Sequence, residues 1–95
     1  MKVSIKVLDL PELVSVFGKR ELSFSFSGQT LQDLLRALIS HYGPTLSQVI
    51  LDREGGLNKA VQVFIKGNLC SQQMDGPIYL QEGEQVTFLV LVNGG

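Results

Sequence analysis

The sequence predicts an α+β fold in which a mixed sheet of four or five strands packs against one main helix. Polar and apolar residues alternate over residues 2–7 and 21–26, as they do in half-buried strands. An apolar stripe at helical spacing runs over residues 31–42. Residues 86–92 are apolar except for Thr87, which is typical of a strand buried on both faces near the middle of a sheet.

Composition indicates one small domain and excludes several classes of protein. The 95 residues carry 8 Lys and Arg against 9 Asp and Glu, a net charge of −1, whereas nucleic-acid binding favours a basic excess. Cys70 is the only cysteine, so no internal disulfide is expected and a reducing compartment is the simplest assumption. The N-terminal residues lack the apolar block of a signal peptide, and no stretch has the length of a transmembrane helix. We therefore expect a cytoplasmic protein with no nucleic-acid or membrane partner.

The first two strands are predicted over residues 2–7 and 21–26. Residues 8–18 between them contain Pro11, and we expect a connection with a short helical turn there. Gly18 begins the turn back. The two strands are therefore predicted to pair as a hairpin.

The helix over residues 31–42 has the clearest start and stop signals. Thr30 is a good N-cap, and Asp33 three residues later gives an Asp version of the capping box. Gly43 and Pro44 end the helix. The apolar stripe consists of Leu31, Leu34, Leu35, Leu38, Ile39 and Tyr42.

The second half of the chain is predicted to complete the sheet. Residues 44–60 suggest a second short helix followed by a polar turn. A third strand is predicted over residues 61–66, with Phe64 on its outward face, and brief edge segments near residues 69–70 and 78–80. Pairing of the first strand with the last in the centre of the sheet turns this order into the β-grasp fold.

The pair Gly94-Gly95 at the end of the sequence is the main functional signal. Gly raises the entropic cost of ordering the chain, so a folded domain has no structural need to end this way. A main-chain carboxylate that enters a narrow active site, by contrast, needs residues without side chains. We accordingly assign residues 1–92 to the β-grasp domain and residues 93–95 to a flexible tail. The alternative is a frayed end without function.

The sequence offers no other catalytic arrangement. One His and one Cys do not supply a typical structural zinc site; His41 is explained by its place at the end of the helix, and Cys70 as a small strand or turn residue. Gly55-Gly56 lacks the Lys-Ser/Thr of a phosphate-binding loop. We predict that the chain binds no metal or cofactor and is not an enzyme by itself.

A longer motif near the C-terminus reads Leu80-x-x-Gly83-Glu84-Gln85-Val86-x-Phe88-Leu89-x-x-Val92-x-Gly94-Gly95. It resembles the C-terminal signature of the MoaD/ThiS family of ubiquitin-like sulfur carriers, which includes the small subunit of molybdopterin synthase and the thiamine-pathway carrier. The helix after Thr30 and the turn Ile65-Lys66-Gly67-Asn68 also resemble this family. Members that serve molybdopterin synthesis often carry Pro-Pro where this chain has Val90-Leu91, so the pathway stays open.

The resemblance implies a sulfur carrier that acts as a substrate of other proteins. A partner adenylating enzyme, similar to ubiquitin-activating enzymes, would use ATP to activate the Gly95 carboxylate. A persulfide sulfur would then replace AMP and leave a thiocarboxylate. Gly94, Asn93 and Val92 would thread the partner active site. The leading expectation is molybdopterin (molybdenum or tungsten cofactor) biosynthesis, with the large subunit of molybdopterin synthase or another sulfur-accepting enzyme as second partner.

Phe64, Leu89 and Leu91 are the candidates for an apolar docking patch on the bare sheet face. Ordinary packing against residues 44–60 would explain them equally well. Three other functions stay open: a sulfur carrier for thiamine, cysteine, tRNA or another thio-metabolite, a ubiquitin-like modifier attached to lysines through Gly95, and a β-grasp interaction module whose terminal glycines are incidental.

Overall fold

A computed structural model describes residues 1–8, 10–54, 57–58, 60–69 and 76–90 of the chain. Within them, one mixed sheet packs against three helices, which confirms the predicted α+β fold. The strands are β1 (Lys2–Leu8), β2 (Glu21–Ser25), β3 (Val61–Ile65), β4 (Asn68–Leu69) and β5 (Gln85–Val90). The helices are α1 (Pro11–Phe17), α2 (Leu31–Tyr42) and α3 (Pro44–Ile50).

The sheet has the strand order β2-β1-β5-β3-β4, which places the last strand in the centre. β5 runs parallel to β1, where Ile5 lies opposite Val86, and antiparallel to β3, where Val63 lies opposite Phe88. The two outer pairs, β1 with β2 and β3 with β4, are both antiparallel. The predicted pairing of the first strand with the last in the middle of the sheet is therefore confirmed.

The expectation that the last strand is buried on both faces is wrong. Val86 and Phe88 are fully buried, whereas the residues that follow each of them, Thr87 and Leu89, are only half-buried. This alternation is that of a strand with one face on the core and the other face uncovered. The apolar character of Leu89 therefore does not come from burial in the core.

All three helices lie on the same face of the sheet. Leu13 of α1, Leu38 of α2 and Leu46 of α3 are completely buried and belong to one cluster with the inward side chains of the strands. The predicted helical turn after β1 is a helix of seven residues, and the predicted second short helix is α3. The strand residues of the cluster are Val3, Ile5, Val7, Val61, Val63, Ile65, Val86 and Phe88.

The capping box predicted for α2 is present. The Asp33 amide donates to Thr30 Oγ1 at 3.0 Å, and Asp33 Oδ2 accepts from the amides of Thr30 at 3.3 Å and Gln29 at 3.2 Å. The hydrogen bond with the Thr30 side chain, followed by the one from the Gln29 amide, lowers the pKa of the Asp33 carboxyl. The helix therefore begins at a fixed residue.

The segment before β5 is attached to this helix start. The predicted edge segment at residues 78–80 instead forms an isolated bridge between Tyr79 and Thr30. The Leu31 amide donates to the Ile78 carbonyl at 2.7 Å, and the Leu80 amide donates to the Gln29 carbonyl at 2.8 Å. The chain thus passes along the start of α2 before it enters the centre of the sheet.

Several residues of the sequence analysis lie outside the described residues. They include Gly55, Gly56, Cys70 and the last five residues, so the division into a domain of residues 1–92 and a tail of residues 93–95 stays a prediction. No helix in the described part of the chain has the length and hydropathy needed to cross a membrane.

Substitution of Gly28 by Ala is expected to destabilise the fold by about 1–3 kcal/mol. Gly28 has φ +132°, and a Cβ there would lie 2.6 Å from both Cβ and Oδ2 of Asp33. The clash would push the capping carboxylate away from the helix start. Urea denaturation of the variant measures this loss.

Gly76→Ala is the matched control, because a Cβ at Gly76 meets no atom within 4 Å. We expect its free energy of unfolding to stay near that of the wild type. Equal losses in the two variants would contradict the role given to Gly28.

Candidate functional site

The last described residues of the chain belong to β5, the central strand of the sheet. Because β1 and β5 are parallel, their carboxyl ends lie at the same edge, where Leu8 is opposite Leu89. On its other side β5 pairs with β3 as far as Val90, which lies opposite Val61. β5 is thus paired on both sides as far as Leu89 and with β3 alone at Val90. The predicted tail residues lie outside the described residues: Leu91, Val92, Asn93, Gly94 and Gly95.

An apolar patch lies on the sheet face that is turned away from the helices. It consists of Leu8, Phe64, Leu69 and Leu89, which we call the open-face patch. Leu8 lies opposite Leu89 across β1 and β5, and Phe64 lies opposite Leu69 across β3 and β4. Thr87 is opposite Phe64 and stands between the two pairs. Neighbouring strands therefore carry one continuous group of side chains on this face.

The members of the open-face patch are accessible to a partner. Leu8 is 40% exposed, while Phe64, Leu69 and Leu89 are half-buried. The alternative of packing against residues 44–60 is not supported for α3, because its buried residues enter the core on the opposite face. Phe64 and Leu89 thus lie on the outward face as expected, and Leu91 lies outside the described residues.

Sequence reasoning missed two members of the patch. Leu8 was assigned to the connection after the first strand, although the outward series of Lys2, Ser4 and Lys6 reaches it at the same spacing of two. Leu69 joins the patch because the turn after β3 brings it opposite Phe64. This second placement depends on register, which the alternation of the sequence does not give.

Two lysines of the sheet region differ in their contacts. Lys6 lies opposite Thr87 on the open face, and its side chain makes no hydrogen bond or ion pair with any described residue. Lys66 Nζ lies 3.5 Å from Glu84 Oε2, and Glu84 Oε1 accepts from the Gln81 amide at 3.2 Å. Glu84 is buried at 8% exposure. The ion pair joins the β3–β4 turn, which contains Lys66, to the turn that precedes β5, which contains Glu84.

The described residues hold no group of three or more His, Cys, Asp or Glu side chains that could bind a metal ion. His41 lies in the last turn of α2, as expected from the sequence, with its ring 4.7 Å from that of Tyr42 and 5.7 Å from that of Phe24. These are ring contacts at the surface rather than a nucleophile with its base. Within the described residues, the candidate functional features are the carboxyl end of β5 and the open-face patch.

Comparison with solved structures identifies proteins of similar fold. No model of a protein family and no curated protein matches the sequence. The crystal structure of SAMP1 from Haloferax volcanii has a TM-score of 0.77 and 23% identity, with all of both chains covered. The small archaeal modifier protein 1 of Methanosarcina acetivorans has a TM-score of 0.72 and 26% identity over 99% of this chain and 96% of that one. The BexX/CysO complex of Amycolatopsis orientalis contains a chain with a TM-score of 0.71 and 18% identity, covering 98% of this chain and 99% of that chain.

The structural similarity extends over essentially the whole of this chain and of each neighbour. The chain therefore has the β-grasp fold of these ubiquitin-like proteins, as the sequence predicted. The resemblance to small ubiquitin-like carriers and modifiers is confirmed as a similarity of structure.

Substitutions at two adjacent positions of β5 are expected to differ sharply in cost. Phe88→Ala removes a ring that is 1% exposed and should lower the free energy of unfolding by about 3–5 kcal/mol. Leu89→Ala, on the open face, should change it by about 1 kcal/mol or less. Urea denaturation measures both values. A loss at Leu89 as large as that at Phe88 would show that the outer face is covered.

Proposed function

We propose that this chain is a sulfur carrier protein whose Gly95 carboxylate is converted to a thiocarboxylate by partner enzymes. The observation that supports this most directly is the position of β5. This strand is paired with a neighbour on each side, and in the sequence it is followed closely by Asn93-Gly94-Gly95. A rigid domain with a thin terminal arm is the form that a substrate protein needs, because its end must enter an active site while its body stays outside.

The proposed chemistry begins with activation, since a carboxylate is a poor electrophile at neutral pH. The partner adenylating enzyme joins the Gly95 carboxylate to the α-phosphate of ATP and releases pyrophosphate. The terminal sulfur of a persulfide then attacks the acyl-adenylate, and AMP leaves. A thiol finally cleaves the sulfur–sulfur bond, so that a disulfide forms and the thiocarboxylate remains on the chain.

This chain supplies no catalytic group in the proposal. Gly94 and Gly95 allow the terminus to pass through a narrow channel, because they carry no side chain and permit any φ. Asn93 and Val92 form the base of the arm. ATP is bound by the adenylating enzyme and not by this chain, which is therefore a sulfur-donating substrate or a non-catalytic subunit.

The open-face patch is the proposed docking surface for the adenylating enzyme. It lies next to the strand that leads to the arm, so an enzyme that takes in the terminus stands beside it. Phe64 and Leu89 supply apolar contact area together with Leu8 and Leu69, and Leu91 would extend the patch towards the arm. The neighbour CysO is known in complex with another protein, BexX, which agrees with a β-grasp protein that acts through partners.

Molybdopterin biosynthesis in the cytoplasm is the acceptor pathway that we propose, with the large subunit of molybdopterin synthase as the enzyme that receives the sulfur. The support is the C-terminal motif and its resemblance to the MoaD/ThiS family, which includes the small subunit of molybdopterin synthase. A protein modifier is the second candidate, favoured by the similarity to small archaeal modifier protein 1. In that case the same acyl-adenylate would end as an amide bond to a lysine of another protein.

Exchange of labelled pyrophosphate into ATP, catalysed by the adenylating enzyme from the same source, tests the activation step. The wild-type chain should support exchange. Deletion of Gly95, or one Ala appended after it, should abolish exchange because the carboxylate is then out of place. Leu89→Ser should raise the KM for the chain about tenfold through loss of an apolar contact.

Gly76→Ala serves as the control, because Gly76 belongs to neither the arm nor the patch and its carbonyl accepts a hydrogen bond from Gln32 of α2. This variant should leave kcat and KM unchanged. Exchange that persists in the chain with the appended residue would contradict the role of Gly95. Unchanged KM in Leu89→Ser would remove the open-face patch from the docking surface while leaving the activation step intact.

A further inference from the structure

A cleft of about 460 Å³ lies at the edge of the sheet where β1 ends, outside the open-face patch proper. β1, the residue Leu10, α1 and Arg20, which immediately precedes β2, form its walls. Most of its lining is apolar, with one hydroxyl and one guanidinium among the lining side chains. The lining residues are Val7, Leu8, Leu10, Pro11, Val14, Ser15 and Arg20.

The local sequence explains why this cleft is open. Pro11 starts α1 only three residues after β1 ends, so the helix turns away from the end of the strand. The Val7 amide donates to the Arg20 carbonyl at 2.8 Å, which holds the start of β2 against the end of β1. The backbone of Arg20 is thereby fixed, while its side chain is exposed at the cleft.

Among the described residues, Arg20 is a cation without an ionic partner. Its guanidinium makes no ion pair or hydrogen bond with any residue in the described part of the chain. An apolar cleft beside an unpaired guanidinium fits a ligand that presents an apolar side chain next to a carboxylate. The ligand chemistry is therefore that of a protein segment with an apolar residue and an Asp or Glu close by.

Two observations connect the cleft with the partner of the proposed function. Leu8 belongs both to the cleft lining and to the open-face patch, where it lies opposite Leu89. The cleft also lies at the carboxyl ends of β1 and β5, the edge from which the chain continues towards the terminal arm. A protein that covers the patch at Leu8 is therefore adjacent to the cleft.

We infer that the cleft is a second docking site for the adenylating enzyme, which inserts an apolar side chain between α1 and β1 and pairs a neighbouring carboxylate with Arg20. The inference rests on the proposed function, because it takes the enzyme of that reaction as its partner. The cleft and the open-face patch share Leu8, so the two contacts form one continuous binding surface.

The test measures the KM for the chain in pyrophosphate exchange for two pairs of matched variants. Arg20→Glu reverses the charge at the cleft, whereas Lys19→Glu reverses an adjacent exposed charge that does not line it. Ser15→Trp fills the cleft from an exposed position of α1, whereas Gln48→Trp places the same side chain on an exposed position of α3. Thermal unfolding of all four variants verifies that they are folded.

Arg20→Glu and Ser15→Trp should each raise the KM about tenfold or more, because a desolvated charge pair or an apolar insertion is lost. Lys19→Glu and Gln48→Trp should stay near the wild-type value. The effect of Arg20→Glu should also weaken as salt concentration rises.

Wild-type KM in both Arg20→Glu and Ser15→Trp, with a raised KM in Leu89→Ser, would overturn the second site and leave the proposed function standing. A raised KM in Arg20→Glu alone would overturn the apolar insertion. No exchange with the wild-type chain and a demonstrably active enzyme would overturn the proposed function and, with it, this partner.

Discussion

The pairing of β5 with both of its neighbours is the constraint on which the rest of this structure depends. On one side of it stand β1 and β2, and on the other β3 and β4, so β5 joins two antiparallel pairs into one sheet. Its inward side chains, Val86 and Phe88, are fully buried under the helices. Withdrawal of this strand would separate the two pairs and expose the core. The last described residue, Val90, therefore belongs to the strand that joins the two halves of the sheet.

This arrangement also leaves one face of the sheet without a helix in the described part of the chain. All three helices enter the core from the same side, and the capping box at Thr30 and Asp33 fixes where the longest of them begins. The segment that ends in Leu80 bonds to this helix start and then leads into β5. Within the described residues the outer face thus receives no helix, and apolar residues of four strands lie there together.

Most of the fold could be predicted from the sequence, because alternation, the capped helix and the turn residues all indicate the same arrangement. The burial of β5 could not. Leu89 is apolar in the same way as Phe88, and a run of apolar residues does not distinguish a core contact from a partner contact. Leu8, Leu69 and the cleft at Arg20 were also missed, since they depend on register and on where α1 leaves the sheet. The prediction of a functional terminus rests on Gly94 and Gly95 and on the motif that precedes them, and it concerns residues beyond those that the structure describes.

The most direct test of a sulfur carrier is the intact mass of the chain after incubation with ATP, the adenylating enzyme from the same source and a persulfide donor. The account predicts a gain in mass equal to the exchange of one oxygen for sulfur, located by fragmentation at Gly95. The chain that lacks Gly95 should show no gain. An unchanged mass of the full chain, with an enzyme that demonstrably forms the acyl-adenylate, would contradict the carrier function and favour a protein modifier.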